Sequence, residues 1–363
     1  MELKTLHGNL KLPAFFPDAT FGQIKGLDNK KLRKIDVDGV VVNAYHFLKE
    51  KTHIKACKKG GIHKLMRFYK PIISDSGGFQ VMSLIHNNRG NGKILDNEIH
   101  FKLDGKKVVL TPEKCIKTQI EIGSDIIMCL DDCTKASQSQ KEQEKSVKRT
   151  ISWAERCKKE FSSLTKNKKE KPLLFAIVQG GNNKKLRKKC AQELIKIGFD
   201  GYSFGGWPIH NRKLLKEILR YTSSLIPDDK PKYAMGIGKP QDIVECIKLG
   251  YNMFDCVIPT REARHKKLYV LIKNPKKINP FKDNFFTAIS IKGKHKGSKR
   301  KISKFCNCEA CKKHSLGELY ELFLKKDKKA IELATIHNLT FYSTLMKILR
   351  KVQQNCSHRT ETY

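Results

Sequence analysis

Three cysteines stand close together near the C-terminal end of the chain, in the order C-x-C-x2-C. They are Cys306, Cys308 and Cys311, and His337 follows in a helix-like run. Three thiolates and one imidazole make a closed tetrahedral set for Zn2+, and closed sets are structural rather than catalytic. The cysteines are too close in sequence to pair with one another as disulfides. The sequence therefore predicts one structural zinc ion per chain, with His314 as a competing fourth ligand.

Acids, an amide and glycines close a series of short apolar runs along the chain. These closing residues are Asp75, Asp131, Gln179, Gly205–Gly206, Gly236 and Asp255. If the runs are parallel strands of one barrel, their carboxyl ends converge on one mouth, where active sites lie. Asp and Gly are also ordinary turn residues. Several such endings in succession nevertheless indicate one shared pocket.

Eight apolar runs rich in β-branched and aromatic residues recur along the chain, and helix-like segments separate most of them. The runs are LPAFFPDAT, GVVVNAYHF, KPIISDSGG, DIIMCLDDC, LLFAIVQGG, FDGYSFGG, KYAMGIG and MFDCVIPT. One separating segment is NRKLLKEILRYTSSL, from Asn211 to Leu225. Strands that alternate with helices form parallel sheets. Eight such units predict an α/β fold, a (β/α)8 TIM barrel, with a doubly wound sheet as the alternative.

The chain changes in composition after the last of these runs. Residues 262–304 contain 14 Lys or Arg and two acids, and include the stretch KGKHKGSKRKISK. We therefore predict two parts. Residues 1–262 carry the barrel strands and the catalytic pocket. Residues 263–363 carry a basic insertion, the zinc-binding subdomain and a closing C-terminal helix.

The charge of the protein indicates a polyanionic partner. The 363 residues include 73 Lys or Arg against 36 Asp or Glu, a formal net charge of +37. Such an excess attracts nucleic acid, although only 13 of the 73 are Arg and a lysine bias can also follow from A+T-rich coding. No apolar run approaches the ~18 residues of a membrane helix, and the N-terminus lacks a signal-peptide core. We expect a cytoplasmic protein with no membrane contact.

Ten stretches together resemble the tRNA-guanine transglycosylases, or queuine tRNA-ribosyltransferases, of the bacterial type. They are NAYHF (43–47), SDSGGFQVMSL (74–84), LDDCT (130–134), ISWAERC (151–157), FAIVQGG (175–181), FDGYSFGG (199–206), AMGIGKPQDI (234–243), MFDCVIPTR (253–261), CNCEAC (306–311) and HNLTFYSTLM (337–346). The resemblance implies a (β/α)8 barrel with a zinc subdomain inserted near its end. It also implies exchange of guanine at the wobble position of a tRNA with a GUN anticodon for a 7-deazaguanine base. Bacterial members use preQ1, eukaryotic members use queuine, and family members commonly form homodimers.

The resemblance assigns catalytic roles to two of the aspartates. Asp255, in FDCVIPTR, looks like the nucleophile that forms a covalent ester with the ribose. Asp75, in SDSGG, looks like the acid/base that handles the proton of the departing and incoming bases. Retaining glycosidases likewise use one carboxyl group as the nucleophile and a second one as the acid/base.

The resemblance also implies a pocket for the base. Asp131 would accept hydrogen bonds from the guanine-type N1–H and exocyclic amine, and Gln179 and the backbone of Gly206 would donate to O6. Phe79 and Met235 would lie on the two faces of the ring. The full set of base-binding positions is Ser76, Gly77, Gly78, Phe79, Asp131, Gln179, Gly205, Gly206 and Met235.

Two further stretches resemble segments that contact the anticodon loop. Arg261 and Arg264 suit phosphates and base edges because a guanidinium group donates in a planar fork. The full set of expected RNA-binding positions is Gly236, Ile237, Gly238, Lys239, Pro240, Gln241, Asp242, Thr260, Arg261, Glu262, Ala263 and Arg264.

The sequence departs from the family pattern after Gly206. Trp207–Pro208 replaces Leu and a small residue, in the loop that recognises the 7-substituent. Cys133 and Ile209 leave less room than queuine-using enzymes provide, which favours preQ1. Two other functions stay open: base exchange in DNA by a diverged relative, and a non-catalytic tRNA-binding subunit. The presence of all three aspartates argues against the second.

Overall fold

The centre of the computed structural model is an eight-stranded parallel sheet, and the structure describes residues 1–49, 55–56, 58, 60–134 and 138–360. We number the strands of this sheet β1 to β8 in chain order. They are β1 (Ala14–Pro17), β2 (Val40–Asn43), β3 (Ile72–Asp75), β4 (Ile126–Met128), β5 (Leu173–Val178), β6 (Gly201–Phe204), β7 (Lys232–Ala234) and β8 (Met253–Cys256). Each of the eight predicted runs holds one of these strands. The prediction of a (β/α)8 barrel is therefore confirmed.

The sheet curls into a ring. Its strand order is β1-β8-β7-β6-β5-β4-β3-β2, and every pairing within it is parallel. The two ends of this order meet just after β1, where Asp18 forms a parallel bridge with Val41 and the Ala19 amide donates to the Val41 carbonyl at 2.7 Å. Closure brings the carboxyl ends of all eight strands around one mouth.

Alternate strand residues fill the inside of the ring, as the two-residue repeat of a strand requires. These buried residues are Ala14, Phe16, Val41, Ile73, Ile126, Met128, Phe175, Ile177, Tyr233 and Met253. An N-terminal hairpin of strands Glu2–Thr5 and Gly8–Lys11 adds Leu10 and Leu12 to this cluster and covers the amino-terminal end of the barrel. The barrel is thus a packed core that is open only toward the mouth.

Helices cover the outside of the barrel. They are Asn29–Leu32, Ala44–Lys49, Gly61–Met66, Gly78–Asn87, Pro112–Ile122, Gln140–Thr165, Lys184–Ile197, Lys216–Leu225, Pro240–Lys248 and Ile258–Arg264. The sequence sets several of their starts: Thr111 caps the helix that opens with Pro112, and Ser139 forms a capping box with Glu142. No helix in the described ranges combines the length and the apolar character that a bilayer crossing needs.

Two excursions from the barrel were not predicted. A three-stranded antiparallel sheet, Gly92–Ile94, Ile99–Leu103 and Lys106–Leu110, follows the helix after β3. The helix expected from Asn211 to Leu225 begins only at Lys216. Before it, Ile209–His210 pairs with Lys213–Leu214 in a tight hairpin, with Asn211 and Arg212 at φ 47° and 62°. Two successive left-handed residues make a hairpin turn and break a helix.

The C-terminal part returns to the barrel. It contains the antiparallel strands Lys267–Leu271 and Phe286–Ser290, followed by the helices Glu309–Lys313, Leu316–Leu324 and Lys328–Thr360. The last helix lies across the start of β1, because Arg350 donates to the Pro13 carbonyl and pairs with Asp38 at 2.9 Å. The division of the chain at residue 262 stays a prediction, and its last three residues lie outside the described ranges.

Candidate active site and metal centre

Three aspartates from three different strands share the mouth of the barrel. Asp75 ends β3, Asp255 lies in β8, and Asp131 follows shortly after β4. The negative charge of Asp75 contributes to raising the pKa of both other carboxyl groups. Like charges raise each other's pKa only at short range, so the structure brings the three predicted aspartates together.

Asp255 is held by two donors from β7 and its end. The Tyr233 hydroxyl donates to Asp255 Oδ1 at 2.7 Å, and the Gly236 amide donates to the same oxygen at 2.9 Å. Burial raises the pKa of Asp255 to about 6, against the effect of these donors. The carboxylate is therefore fixed in direction and, near neutral pH, ionised and poorly hydrated. That combination suits a nucleophile.

Asp75 ends β3, which β1 and β2 separate from β8 around the ring, and it stands at the start of a sharp turn. Asn43 at the end of β2 donates from Nδ2 to Asp75 Oδ2 at 2.9 Å. Burial raises the pKa of Asp75, although Gln80 and the amides of Ser76 and Gly77 donate to it. Gly77 has φ 78°, and a Cβ there would lie 2.6 Å from the Tyr45 amide nitrogen. The glycine is therefore required for the chain to turn from the aspartate into the next helix.

The two adjacent acids after β4 face different partners. Asp131 accepts a 2.6 Å hydrogen bond from Gln179 Nε2, whereas Asp132 forms a 2.8 Å ion pair with Arg149. Burial, together with the charges of Asp75 and Asp132, raises the pKa of Asp131 to about 7. Asp131 thus belongs to the pocket and Asp132 to the packing of a neighbouring helix.

Polar groups next to Asp131 form one wall of the pocket. Burial raises the pKa of the Cys133 thiol, and Gln179 and the Gly206 amide, as nearby donors, act against that rise. Gly206 has φ 91°, which glycine adopts without strain. The pocket wall therefore presents one carboxyl group and several hydrogen-bond donors side by side.

Two aromatic rings stand at the rim. Phe79 and Trp207 are 37% and 43% exposed, and their ring centroids lie 5.3 Å apart in an edge-to-face arrangement. Met235 is partly buried against the barrel interior. Sequence reasoning assigned a stacking role to Phe79 and Met235 but missed that Trp207 extends the same aromatic surface.

The expected RNA-binding positions include exposed and buried residues, and Asp242, Glu262 and Arg264 are intermediate in burial. The side chains of Lys239, Gln241 and Arg261 are exposed. Those of Ile237, Pro240, Thr260 and Ala263 are buried, as the core packing of Ile237 and Ala263 illustrates. Buried side chains of this kind position the exposed ones, and only their backbone can face a ligand.

Two partners of the aspartates were also missed. Asn43 lies in NAYHF and Tyr233 in KYAMGIG, and neither was assigned a role. Each is a residue with a polar group at or near the end of a buried strand. That feature was visible in the sequence, but which carboxyl group each one contacts was not.

The four predicted metal ligands also come together. Cys306, Cys308, Cys311 and His337 place their ligand atoms within 4.8 Å of one another. His337 Nδ1 lies 3.2 Å from Cys311 Sγ and 3.7 Å from Cys308 Sγ. Its other ring nitrogen, Nε2, lies 2.8 Å from the Tyr269 carbonyl oxygen. Nε2 therefore carries the proton of the neutral ring, and the lone pair of Nδ1 is free to bind a metal. This donor set suits Zn2+. His314, the competing ligand, instead faces Glu318.

A second group of potential ligands lies at the opposite end of the barrel. His7 and His63 each place a ring nitrogen 2.9 Å from Asp125. Their rings are stacked, however, with centroids 3.4 Å apart and planes 17° from parallel. A metal binds an imidazole in the plane of its ring, and nearly parallel stacked rings cannot both satisfy that condition for one ion. The group therefore acts as a hydrogen-bonded cluster under β3 and β4.

We predict that metal analysis of the purified protein finds one zinc ion per chain. Cys308→Ser removes a ligand, so the zinc content falls to near zero and the thermal midpoint drops, because the closed site holds its segments together. Cys246→Ser, which changes a buried cysteine outside the cluster, keeps one zinc. Wild-type protein that unfolds at the same temperature with and without chelator would contradict the structural role.

We also predict that Asp131→Asn stabilises the fold at pH 8 more than at pH 5. When the pKa of a carboxyl group is higher in the folded protein than in the unfolded chain, the free energy of unfolding falls as the pH rises from the unfolded pKa to the folded pKa. Asparagine cannot ionise, so the variant avoids this loss. With a folded value of about 7, the gain at pH 8 should exceed that at pH 5 by about 3 kcal/mol. The measurement is chemical denaturation at both pH values, with Asp229→Asn at the exposed surface as control. An equal gain at both pH values would contradict a raised pKa of Asp131 in the folded protein.

Comparison with known proteins yields one family. A family model described as queuine tRNA-ribosyltransferase matches residues 1–356. A queuine tRNA-ribosyltransferase of a Psychrobacter species is 37% identical over 348 residues, 95% of this chain and 86% of that protein. One from Shewanella sediminis is 36% identical over 353 residues, 94% and 86% respectively. One from Methylacidiphilum infernorum is 37% identical over 359 residues, 96% and 90%. With the shared mouth and the cysteine cluster, these matches show that the chain belongs to the queuine tRNA-ribosyltransferase family.

Proposed function

We propose that this protein is a tRNA-guanine transglycosylase that exchanges guanine at the wobble position of tRNAs with a GUN anticodon for a 7-deazaguanine base. The observation that supports it best is the convergence of Asp75, Asp131 and Asp255 on one mouth in a chain of this family. A base-exchange reaction needs a nucleophile, an acid/base and a hydrogen-bonding partner for the base. The three carboxyl groups can supply one each.

The exchange proceeds as two displacements at the ribose C1′. An Asp255 oxygen attacks C1′ and forms an ester while the C1′–N9 bond to guanine breaks, and Asp75 donates a proton to the departing base. The incoming base then loses a proton to Asp75 and attacks C1′, which breaks the ester and frees Asp255. Two inversions retain the configuration. The pKa of about 6 for Asp255 leaves it ionised at neutral pH, as its role requires.

Asp131 and its neighbours select a guanine-like edge. The two oxygens of an ionised carboxyl group match the paired donors N1–H and 2-amino of guanine. Gln179 and the Gly206 amide, on the same wall, supply donors for O6. Adenine presents the opposite pattern and would leave these groups unpaired, at about 1–3 kcal/mol each. Phe79 and Met235 cover the faces of the ring.

The charge of the protein and two arginines favour RNA as the partner. Arg261 is half exposed just after β8. Arg264 is partly exposed at the end of the same helix, Ile258–Arg264, so both guanidinium groups lie on one side of the segment after β8. A homodimer in the cytoplasm, in which one subunit catalyses while the other holds the tRNA, follows from the family resemblance. Light scattering of the protein alone tests the dimer.

We favour preQ1 as the incoming base. Trp207 and Phe79 stand 5.3 Å apart at the rim, and Cys133 is buried in the wall. Bulky groups here suit the small aminomethyl substituent of preQ1 better than the cyclopentenediol of queuine. The proposal does not require queuine to be excluded, only to compete less well.

The test is incorporation of labelled guanine into a tRNA with a GUN anticodon. Wild-type protein should incorporate it, and Asp255→Asn should reduce the rate at least about 1,000-fold because the ester cannot form. Asp229→Asn, a change of the same type at the exposed surface, should leave the rate unchanged. The labelled tRNA should then release its guanine at a lower concentration of preQ1 than of queuine.

Each outcome decides between the candidate functions. If wild-type protein incorporates no guanine, the proposal of an enzyme is wrong and a non-catalytic tRNA-binding subunit is favoured. If the protein incorporates guanine into duplex DNA in preference to tRNA, at a stated salt concentration, its function is base exchange in DNA. Full activity of Asp255→Asn would remove this residue from the role of nucleophile.

A further inference from the structure

A buried cation lies directly behind the pocket wall. Arg187, in the first turn of the helix Lys184–Ile197, is 1% exposed. Among the residues that the structure describes, it forms no ion pair, and burial lowers its pKa to about 10. A positive charge is also unfavourable at the amino-terminal end of a helix. A residue with two such costs to stability must make other interactions that keep it in place.

Those interactions are with backbone carbonyls. Arg187 donates from Nη1 to Val178 at 2.5 Å, from Nη2 to Gly205 at 2.8 Å and from Nε to Gly181 at 2.9 Å. Its guanidinium group also lies 4.1 Å from the centre of the Phe204 ring. One planar fork therefore joins the end of β5, the glycine turn after it and the end of β6. Gln179 and Gly206, the two O6 donors of the proposed function, are next in sequence to two of these carbonyls.

The contact with Gly205 sets the direction of the next amide. The only cis peptide bond among the described residues is Leu12–Pro13, so the bond between Gly205 and Gly206 is trans. In a trans peptide the C=O and the N–H point in opposite directions from one rigid plane. Because Arg187 holds the Gly205 oxygen on the helix side, the Gly206 N–H must point to the pocket side. The lowering effect of the Gly206 amide on the pKa of the Cys133 thiol agrees with this direction.

Without this contact the peptide plane would be free to turn. Both flanking residues are glycines, which have the widest choice of backbone angles, and Gly206 is already at φ 91°. A turned plane would aim a carbonyl oxygen, an acceptor, at the place where the donor is needed. An apolar side chain of the same size could fill the space behind the wall, but it has no N–H groups to bind the three carbonyl oxygens.

We propose that Arg187 is a positioning residue that fixes the Gly205–Gly206 peptide with its N–H toward the pocket, and so sets the preference for a base with an oxygen at position 6. The inference rests on the proposed function. It extends that function from the residues at the base to a residue that acts only through the backbone.

The test compares guanine with 6-thioguanine as incoming bases. The two share the N1–H and 2-amino edge, but sulfur accepts a hydrogen bond more weakly than oxygen. Arg187→Met keeps the length of the side chain and removes all three donors. We expect the preference for guanine, as the ratio of the two kcat/KM values, to fall about ten-fold, while the KM for tRNA stays the same. Arg187→Lys keeps the charge without the fork and should restore only part of the preference.

Controls separate this role from a general loss of structure. Lys188→Met, one position along the same helix and exposed, should leave the preference unchanged. Loss of activity toward both bases in equal proportion would overturn the inference in favour of a purely structural role. If Arg187→Met does not fold, the Arg187→Lys preference decides: an unchanged ratio overturns the inference. Wild-type protein that exchanges neither base would instead defeat the proposed function.

Discussion

The structure depends on keeping three carboxyl groups of like charge around one small mouth. Water would normally offset their repulsion, but burial raises the pKa of each of them. The protein replaces water with fixed donors. Asn43 serves Asp75, Gln179 serves Asp131, and Tyr233 with the Gly236 amide serves Asp255. These donors hold each group in one direction and favour its ionised form against the effect of burial, which is electrostatic preorganisation in its simplest form.

A closed barrel makes that arrangement possible. The donors and acceptors come from β2, β3, β7 and β8 and from the turns that follow β4, β5 and β7, which are far apart in the chain. Each is held by a strand whose neighbours are fixed on both sides, so small errors of position do not accumulate. Arg187 plays the same part for the backbone, by tying β5 to β6 behind the wall. The final helix packs behind the ends of β7 and β8, where Tyr342 donates to the Gly238 carbonyl and Asn338 donates to the Pro259 carbonyl.

The sequence predicted the parts that follow from local pattern. Parallel strands are buried on both faces and read as short apolar runs, so all eight could be found, and the cysteine spacing specified its own ligand set. The hairpin at Ile209–Leu214 was missed because Leu214, Leu215, Ile218 and Leu219 continue a helical spacing across it. Arg187 was missed for another reason: its partners are backbone carbonyls, which leave no trace in the side-chain sequence. Burial of Ile237 and Ala263 likewise depends on tertiary packing.

The most direct test of the account is a crystal structure of the protein with guanine bound. The account predicts one guanine in the mouth, with Asp131 within hydrogen-bond distance of N1 and the 2-amino group, and with the Gly206 nitrogen near O6. Asp75 and Asp255 should face the edge of the ring that carries N9. Guanine bound elsewhere, or bound there with Asp131 or Asp255 turned away from it, would contradict the claim that the three carboxyl groups form one site.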